Sequence, residues 1–195
     1  MTIAVVNSGG ANISSVLHAL KRLGTEPQFT ADTQVIRSAD QVILPGVGAA
    51  GRAMDMLRSD GLTQVIRNLT QPVFGICLGM QLLFESSPED DATLLGVIPA
   101  RLERLPRGQG LRVPNMGWNA ISNIRPDPLT ADLDGKWFYF VHSYAAPVGD
   151  WTLSTSTHGQ PFSAIVRRDN FYGAQFHPER SAQAGAELLK KFLET

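Results

Sequence analysis

The five residues Gly75-Ile76-Cys77-Leu78-Gly79 constrain this chain more than any other stretch. Before them runs Pro72-Val73-Phe74-Gly75-Ile76, which reads as a buried strand, and the spacing after them predicts a helix from about Gly79 to Glu85. A cysteine between two glycines at a strand-to-helix junction is forced into a tight turn, with its side chain standing above a sheet. The glycines remove Cβ atoms that would clash in such a turn. The helix N-terminus just beyond Cys77 favours a thiolate, and the Leu78 backbone N–H is placed to donate to an oxyanion. A lone cysteine is more often a buried core residue. The paired glycines and the strand–turn–helix setting favour a nucleophile instead.

The rest of the first half alternates in the same way. Ile3 to Asn7 reads as a strand, and the turn Ser8-Gly9-Gly10-Ala11 follows. Asn12 is placed to cap a helix whose apolar positions Ile13, Val16, Leu17, Leu20 and Leu23 share one face, with Gly24 as its stop. Pro27 to Thr30 and Gln41 to Leu44 read as strands, and Arg52 to Arg58 and Leu62 to Leu69 as helices. Strand and helix in alternation signal a mostly parallel central sheet flanked by helices, an α/β fold. The second half has strand-like runs at 137–141, 152–157, 162–167 and 172–176, with turn signals at 158–161 and 168–170. These predict antiparallel strands appended to the parallel sheet. The final helix is expected over Ala182 to Leu193, capped by Ser181, with Leu188, Leu189 and Phe192 facing the core. Ser86 to Asp91 reads as a flexible loop.

Composition narrows the function classes. The chain has 195 residues, 43% hydrophobic and 18% charged, which suits a single folded domain spanning 1–195. Seventeen Lys/Arg against eighteen Asp/Glu give a net charge of -1, so nothing points to a nucleic-acid partner. The single cysteine, Cys77, can form no intramolecular disulfide and cannot by itself build a metal site. No metal or cofactor is called for. No run approaches ~18 consecutive apolar residues, and the N-terminus lacks a basic leader, so a cytoplasmic protein that contacts no membrane is expected.

Of the four histidines, His18 falls on the polar side of the first helix and His158 in a turn. His142 ends an aromatic strand, where it could be core or site. His177 is followed by Pro178, which pushes it toward an extended conformation. Extended residues two apart point the same way, so Glu179 could reach the imidazole and fix its tautomer, as the third member of a triad does. By itself, His-Pro-Glu fits a surface histidine beside an unrelated carboxylate equally well.

Gly75-Ile76-Cys77-Leu78-Gly79-Met80-Gln81 and Gln175-Phe176-His177-Pro178-Glu179 resemble the two signatures of class I, triad-type glutamine amidotransferases. Three further segments resemble the glutaminase subunits of imidazole glycerol phosphate synthase within that class: Leu44-Pro45-Gly46-Val47-Gly48, Val113 to Asn119 and Tyr139 to Tyr144. The likeness runs from the first strand to the last helix. It implies that Cys77 attacks the glutamine carboxamide to give a glutamyl thioester, with His177 as base and then acid and Glu179 as its orienter. It implies an oxyanion hole from Leu78 N–H and an amide of Val47 or Gly48, in a loop whose two glycines make a backbone flip cheap. Gly46, Gln81, Ser143 and Tyr144 match positions that bind glutamine. The resemblance also implies a heterodimer with a barrel-shaped cyclase subunit that receives ammonia through a tunnel and holds the phosphoribulosyl formimino nucleotide acceptor. Asn12, Met116, Trp118, Asn119 and Arg180 match positions facing that partner. Many relatives carry histidine where Asn115 stands and lysine where Arg180 stands.

Three other readings compete. Another glutaminase of the same class would share the triad, and Met116-Gly117-Trp118-Asn119 argues against it. A stand-alone cysteine hydrolase or peptidase is disfavoured by Gln81 and by the His-Pro-Glu order. A non-catalytic subunit is disfavoured by the intact Cys77, His177 and Glu179.

Overall fold

The computed structural model describes residues 1–9, 13–46, 48–108 and 110–195. Its first half contains β1 (Ile3–Val6), α1 (Ile13–Arg22), β2 (Pro27–Thr30), α2 (Thr33–Ser38), β3 (Gln41–Leu44), α3 (Ala50–Ser59), α4 (Leu62–Arg67) and β4 (Val73–Ile76). A single helical turn, α5 (Leu78–Gln81), leads to the short strands β5 (Phe84–Ser87), β6 (Ala92–Thr93), β7 (Ile98–Arg101) and β8 (Glu103–Arg104). Then come β9 (Asn115–Ala120), β10 (Ser122–Asn123), β11 (Trp137–His142), β12 (Tyr144–Ala145), β13 (Thr152–His158), β14 (Gln160–Arg168), β15 (Phe171–Ala174) and α6 (Ala182–Leu193).

Eight strands form the main sheet in the order β10-β13-β14-β15-β4-β3-β1-β2. From β15 to β2 all neighbours are parallel, and from β15 to β10 all are antiparallel. Strands β1, β3 and β4 are buried along their whole length, as parallel strands covered on both faces must be. Side-chain alternation divides them between two cores. Ala4, Val6, Val42, Leu44 and Val73 pack with Ile36, Met54, Leu57 and Ile66 of the helices α2 to α4. Ile3, Val5, Ile43, Phe74 and Ile76 pack with Val16 and Leu20 of α1 and with Leu188, Leu189 and Phe192 of α6. The apolar stripes of α1 and α6 thus face the sheet as their spacing predicts.

Four expectations need correction. The helix expected over 79–85 is one turn long, because Leu82 and Leu83 turn the chain into β5, which pairs with β6 and β7. The loop expected at 86–91 is instead tied down. Ser86 and Ser87 belong to β5, Ser87 is buried, and the Glu89 carboxylate accepts the Ala50 N–H at the start of α3. The last strand is antiparallel to β14 but parallel to β4, so it joins the two halves of the sheet. Ser181 occupies the position before α6 without a side-chain cap bond, because its hydroxyl is engaged elsewhere. The Asn12 cap lies outside the described residues. Among these residues no helix is long and apolar enough to cross a membrane.

Candidate active site

Cys77 sits at the carboxyl end of β4 with φ 52° and ψ −108°, a positive φ that non-glycine residues rarely adopt. Close packing around it explains the two glycines. A Cβ on Gly79 would lie 1.7 Å from the Leu44 carbonyl oxygen, and one on Gly75 would lie 2.6 Å from the Met80 nitrogen. The Cys77 N–H donates to the Ala174 carbonyl at 2.8 Å, which pins the turn to the end of β15. Leu78 opens α5, where helix amides have no partner within the helix.

His177 follows β15, so adjacent parallel strands deliver both residues to the same edge of the sheet. Its Nδ1 lies 2.9 Å from Glu179 Oε1. His177 is extended, at φ −99° and ψ 95°, as a residue before proline should be. Glu179, however, belongs to a 3-10 turn over Pro178–Arg180, so the turn and not strand pleating brings the carboxylate round. The Ser181 hydroxyl donates to the His177 carbonyl at 2.7 Å and accepts the Tyr139 N–H at 2.9 Å, while the His177 N–H donates to the Tyr139 carbonyl at 2.9 Å. The histidine is therefore clamped to β11 and to the start of α6. Burial lowers its proton affinity, but the neighbouring Cys77 and Glu179 more than reverse this and push its pKa up to about 10.

A cleft of 280 Å³ opens beside these groups, lined by Cys77, His177, Leu78, Gly48, Gln81, Ser143 and Tyr144 among others. Gln81 Nε2 donates to the Tyr144 carbonyl at 2.9 Å and to Gln175 Oε1 at 3.0 Å. Both its N–H directions are thus engaged, leaving Oε1 to accept from a ligand. Gly46 lies hard against the elbow: a Cβ there would come within 2.6 Å of the Gly79 nitrogen and 2.8 Å of Leu78 Cβ. Gly48 has φ 102° and open space beside it. Val47 lies outside the described residues. The loop is braced from behind, where the buried Ser8 hydroxyl donates to the Pro45 carbonyl at 2.7 Å.

Comparison with known proteins places the chain in a family. The family model for glutamine amidotransferase class-I matches residues 4–195. The chain belongs to that family. It is 48% identical over 193 residues to the imidazole glycerol phosphate synthase subunit HisH of Xylella fastidiosa strain Temecula1, covering 98% of this chain and 96% of the relative. It is also 48% identical over 196 residues to the protein of the same name from Escherichia coli K12, covering 100% of both. The crystal structure of a glutamine amidotransferase shares the fold, with a TM-score of 0.76, 22% identity and coverage of 98% of this chain and 97% of that one.

Two polar residues in or beside this glutamine amidotransferase's cleft are not marked as site groups by the sequence. Gln175 is buried in the ladder of side-chain amides, with its Nε2 3.8 Å from Cys77 Sγ. Its place immediately before Phe176-His177 was the available signal. Glu89 lines the cleft, and burial raises its carboxyl above the usual range despite the Ala50 N–H. His142, open in the sequence between core and site, lines the cleft and bonds to its neighbours through both ring nitrogens. Larger hollows of 590 and 610 Å³ lie elsewhere, by residues 123–131 and between Gln64 and Phe171, without a cysteine, serine or histidine in their walls.

The residues expected to face a partner fall partly together. Register pairs Trp118 with Tyr139 across β9 and β11, their rings 6.0 Å apart, and Met116 and Trp118 are 64% and 46% exposed on one face of this ribbon. Asn119 turns inward instead, its Nδ2 donating to Asn115 Oδ1 at 3.2 Å. Arg180 is exposed in the turn that carries Glu179. Asn12 lies outside the described residues.

Proposed function

We propose that this chain is the glutaminase subunit of imidazole glycerol phosphate synthase in histidine biosynthesis, and that it works in the cytoplasm as a heterodimer with a cyclase subunit. The observation that carries the chemistry is the pairing of a strained Cys77 with a buried His177 whose proton affinity is raised and whose Nδ1 is held by Glu179.

With the thiol proton on His177, the Cys77 thiolate attacks the glutamine carboxamide carbon. The tetrahedral oxyanion takes hydrogen bonds from the Leu78 N–H and from an amide of Val47 or Gly48. His177 gives its proton to the departing nitrogen, so the C–N bond breaks and ammonia leaves a glutamyl thioester. Water, losing its proton to His177, then attacks the thioester and releases glutamate, and that proton returns to the thiolate pair. Glu179 holds the histidine in one tautomer throughout. Gly46, Gln81, Ser143 and the Tyr144 carbonyl shape the glutamine pocket, and Glu89, an acidic group in its wall, pairs with the substrate ammonium. The exposed face of β9 and β11, bearing Met116 and Trp118, docks on the cyclase together with Arg180, and the family resemblance assigns Asn12 and Asn119 to the same interface. Ammonia passes across it to the nucleotide bound by the cyclase. Because the oxyanion loop contains two glycines, the partner sets its working conformation, and removing one such donor costs about 10²–10³ in rate.

The test is synthesis by the reconstituted complex. Cys77→Ala should abolish synthesis from glutamine and preserve synthesis from added ammonium salt. Unchanged glutamine-dependent synthesis would overturn the nucleophile assignment. The isolated chain should hydrolyse glutamine poorly until the cyclase and its nucleotide are added.

A further inference from the structure

His142 ends β11 directly opposite Asn115 on β9, and the two side chains are 5% and 4% exposed. The hydrogen bonds around them leave one arrangement of protons. Asn115 Oδ1 accepts from Asn119 Nδ2, so the Asn115 Nδ2 is the atom facing His142, 3.0 Å from its Nε2. An amide nitrogen only donates, so Nε2 must accept and the neutral ring carries its proton on Nδ1. That Nδ1–H donates to the Tyr144 carbonyl at 2.9 Å. The same carbonyl receives Gln81 Nε2, and Gln81 in turn reaches Gln175 beside Cys77. Phe140 and Phe162 hold the ring from its sides. Burial keeps the imidazole neutral, lowering its pKa to about 4 against the opposing bond to Tyr144.

We propose that His142, fixed in its Nδ1–H tautomer by Asn115, is a positioning residue for substrate binding: it holds the Tyr144 carbonyl, and through it the Gln81 amide, in the orientation that receives glutamine. This rests on the glutaminase reading above and deepens it. Neither residue touches the reacting atoms, so the effect falls on glutamine affinity and not on the chemical step. Asn115 is required only as a donor, so another side chain with an N–H at that point serves equally.

The test compares Asn115→Asp and Asn115→His in the complex with the cyclase. A carboxylate only accepts, so it withdraws the donor that fixes the tautomer and competes with the Tyr144 carbonyl for the ring's proton. The expected result is a KM for glutamine raised about tenfold with kcat nearly unchanged, and a KM near the wild-type value for Asn115→His. An unchanged KM in Asn115→Asp would overturn the proposal, as would equal damage to kcat in both variants. Because a buried carboxylate can also compromise folding, nitrogen NMR of the histidine-labelled wild-type complex reads the tautomer directly. An Nδ1–H signal for His142 is expected, and an Nε2–H signal would contradict it. Absence of glutamine turnover in the unaltered complex would sink the glutaminase reading, and the spectrum would still decide the tautomer.

Discussion

His177 Nδ1 lies 2.9 Å from Glu179 Oε1, and their side chains are only 11% and 3% exposed. At that separation and burial the carboxylate does more than orient the ring. Together with Cys77 it lifts the imidazole's proton affinity well above its ordinary value, to about 10.

Glu179→Gln keeps an acceptor beside Nδ1 but removes the charge, so the His177 pKa should fall toward its usual range. The wild-type bond favours the protonated, folded form. Its contribution to stability is therefore complete below the unfolded pKa of about 6.5 and is lost as pH rises through the folded value. The stability gap between wild type and Glu179→Gln in urea denaturation should be widest below neutrality and close above pH 10. Glutaminase kcat/KM in the complex should fall by about 10² or more. A stability gap independent of pH would contradict the ion-pair account.

Gly79→Ala places a methyl group 1.7 Å from the Leu44 carbonyl oxygen, where the nearest atoms are all backbone of Leu44 and Pro45 and no flexible side chain can yield. The variant should lose ~3 kcal/mol or more in urea denaturation or fail to fold. Gly24→Ala is the control: its site is open but has φ 82°, so it should cost only ~1 kcal/mol. A loss in Gly79→Ala no larger than in Gly24→Ala would contradict the close-approach account.

Much of this architecture is legible in the sequence, and the exceptions share a cause. The buried runs at β1, β3 and β4 and the apolar stripes of α1 and α6 announce themselves because their periodicity is local. The elbow does too, since two backbone contacts demand glycine on either side of Cys77. What the sequence hides depends on distant partners. The stretch after α5 has helix-like composition, but pairing with β6 and β7 makes it a strand. Ser181 reads as a cap, yet Tyr139, 42 positions away, takes its hydroxyl. Glu89 and His142 line the cleft and Gln175 lies buried beside Cys77, each from a different part of the chain. Spacing along one chain segment could not assemble them.

Ser181→Ala tests that reassignment. It leaves the Tyr139 N–H without its acceptor and the His177 carbonyl with the Arg180 N–H as its remaining donor, at a cost of about 1–3 kcal/mol in thermal or chemical unfolding, with reduced glutamine turnover. Ser181→Asp, a good helix cap with no hydroxyl to donate, should not restore it. Full restoration by aspartate would return the residue to a capping role.

Trp118→Ala tests the proposed docking face. Because Trp118 is 46% exposed, the melting temperature of the isolated chain should barely change. Affinity for the cyclase, measured by titration calorimetry, should weaken by roughly tenfold or more, as expected for an aromatic anchor worth over 1 kcal/mol. Undiminished affinity would move the interface elsewhere.

The most direct measurement is of the covalent intermediate itself. The complex would be quenched in acid during glutamine turnover, digested and mapped by mass spectrometry. A glutamyl adduct on the peptide containing Cys77, absent from Cys77→Ala, is the predicted result. Rapid glutamine turnover with no adduct, at a rate that Cys77→Ala leaves intact, would contradict the account.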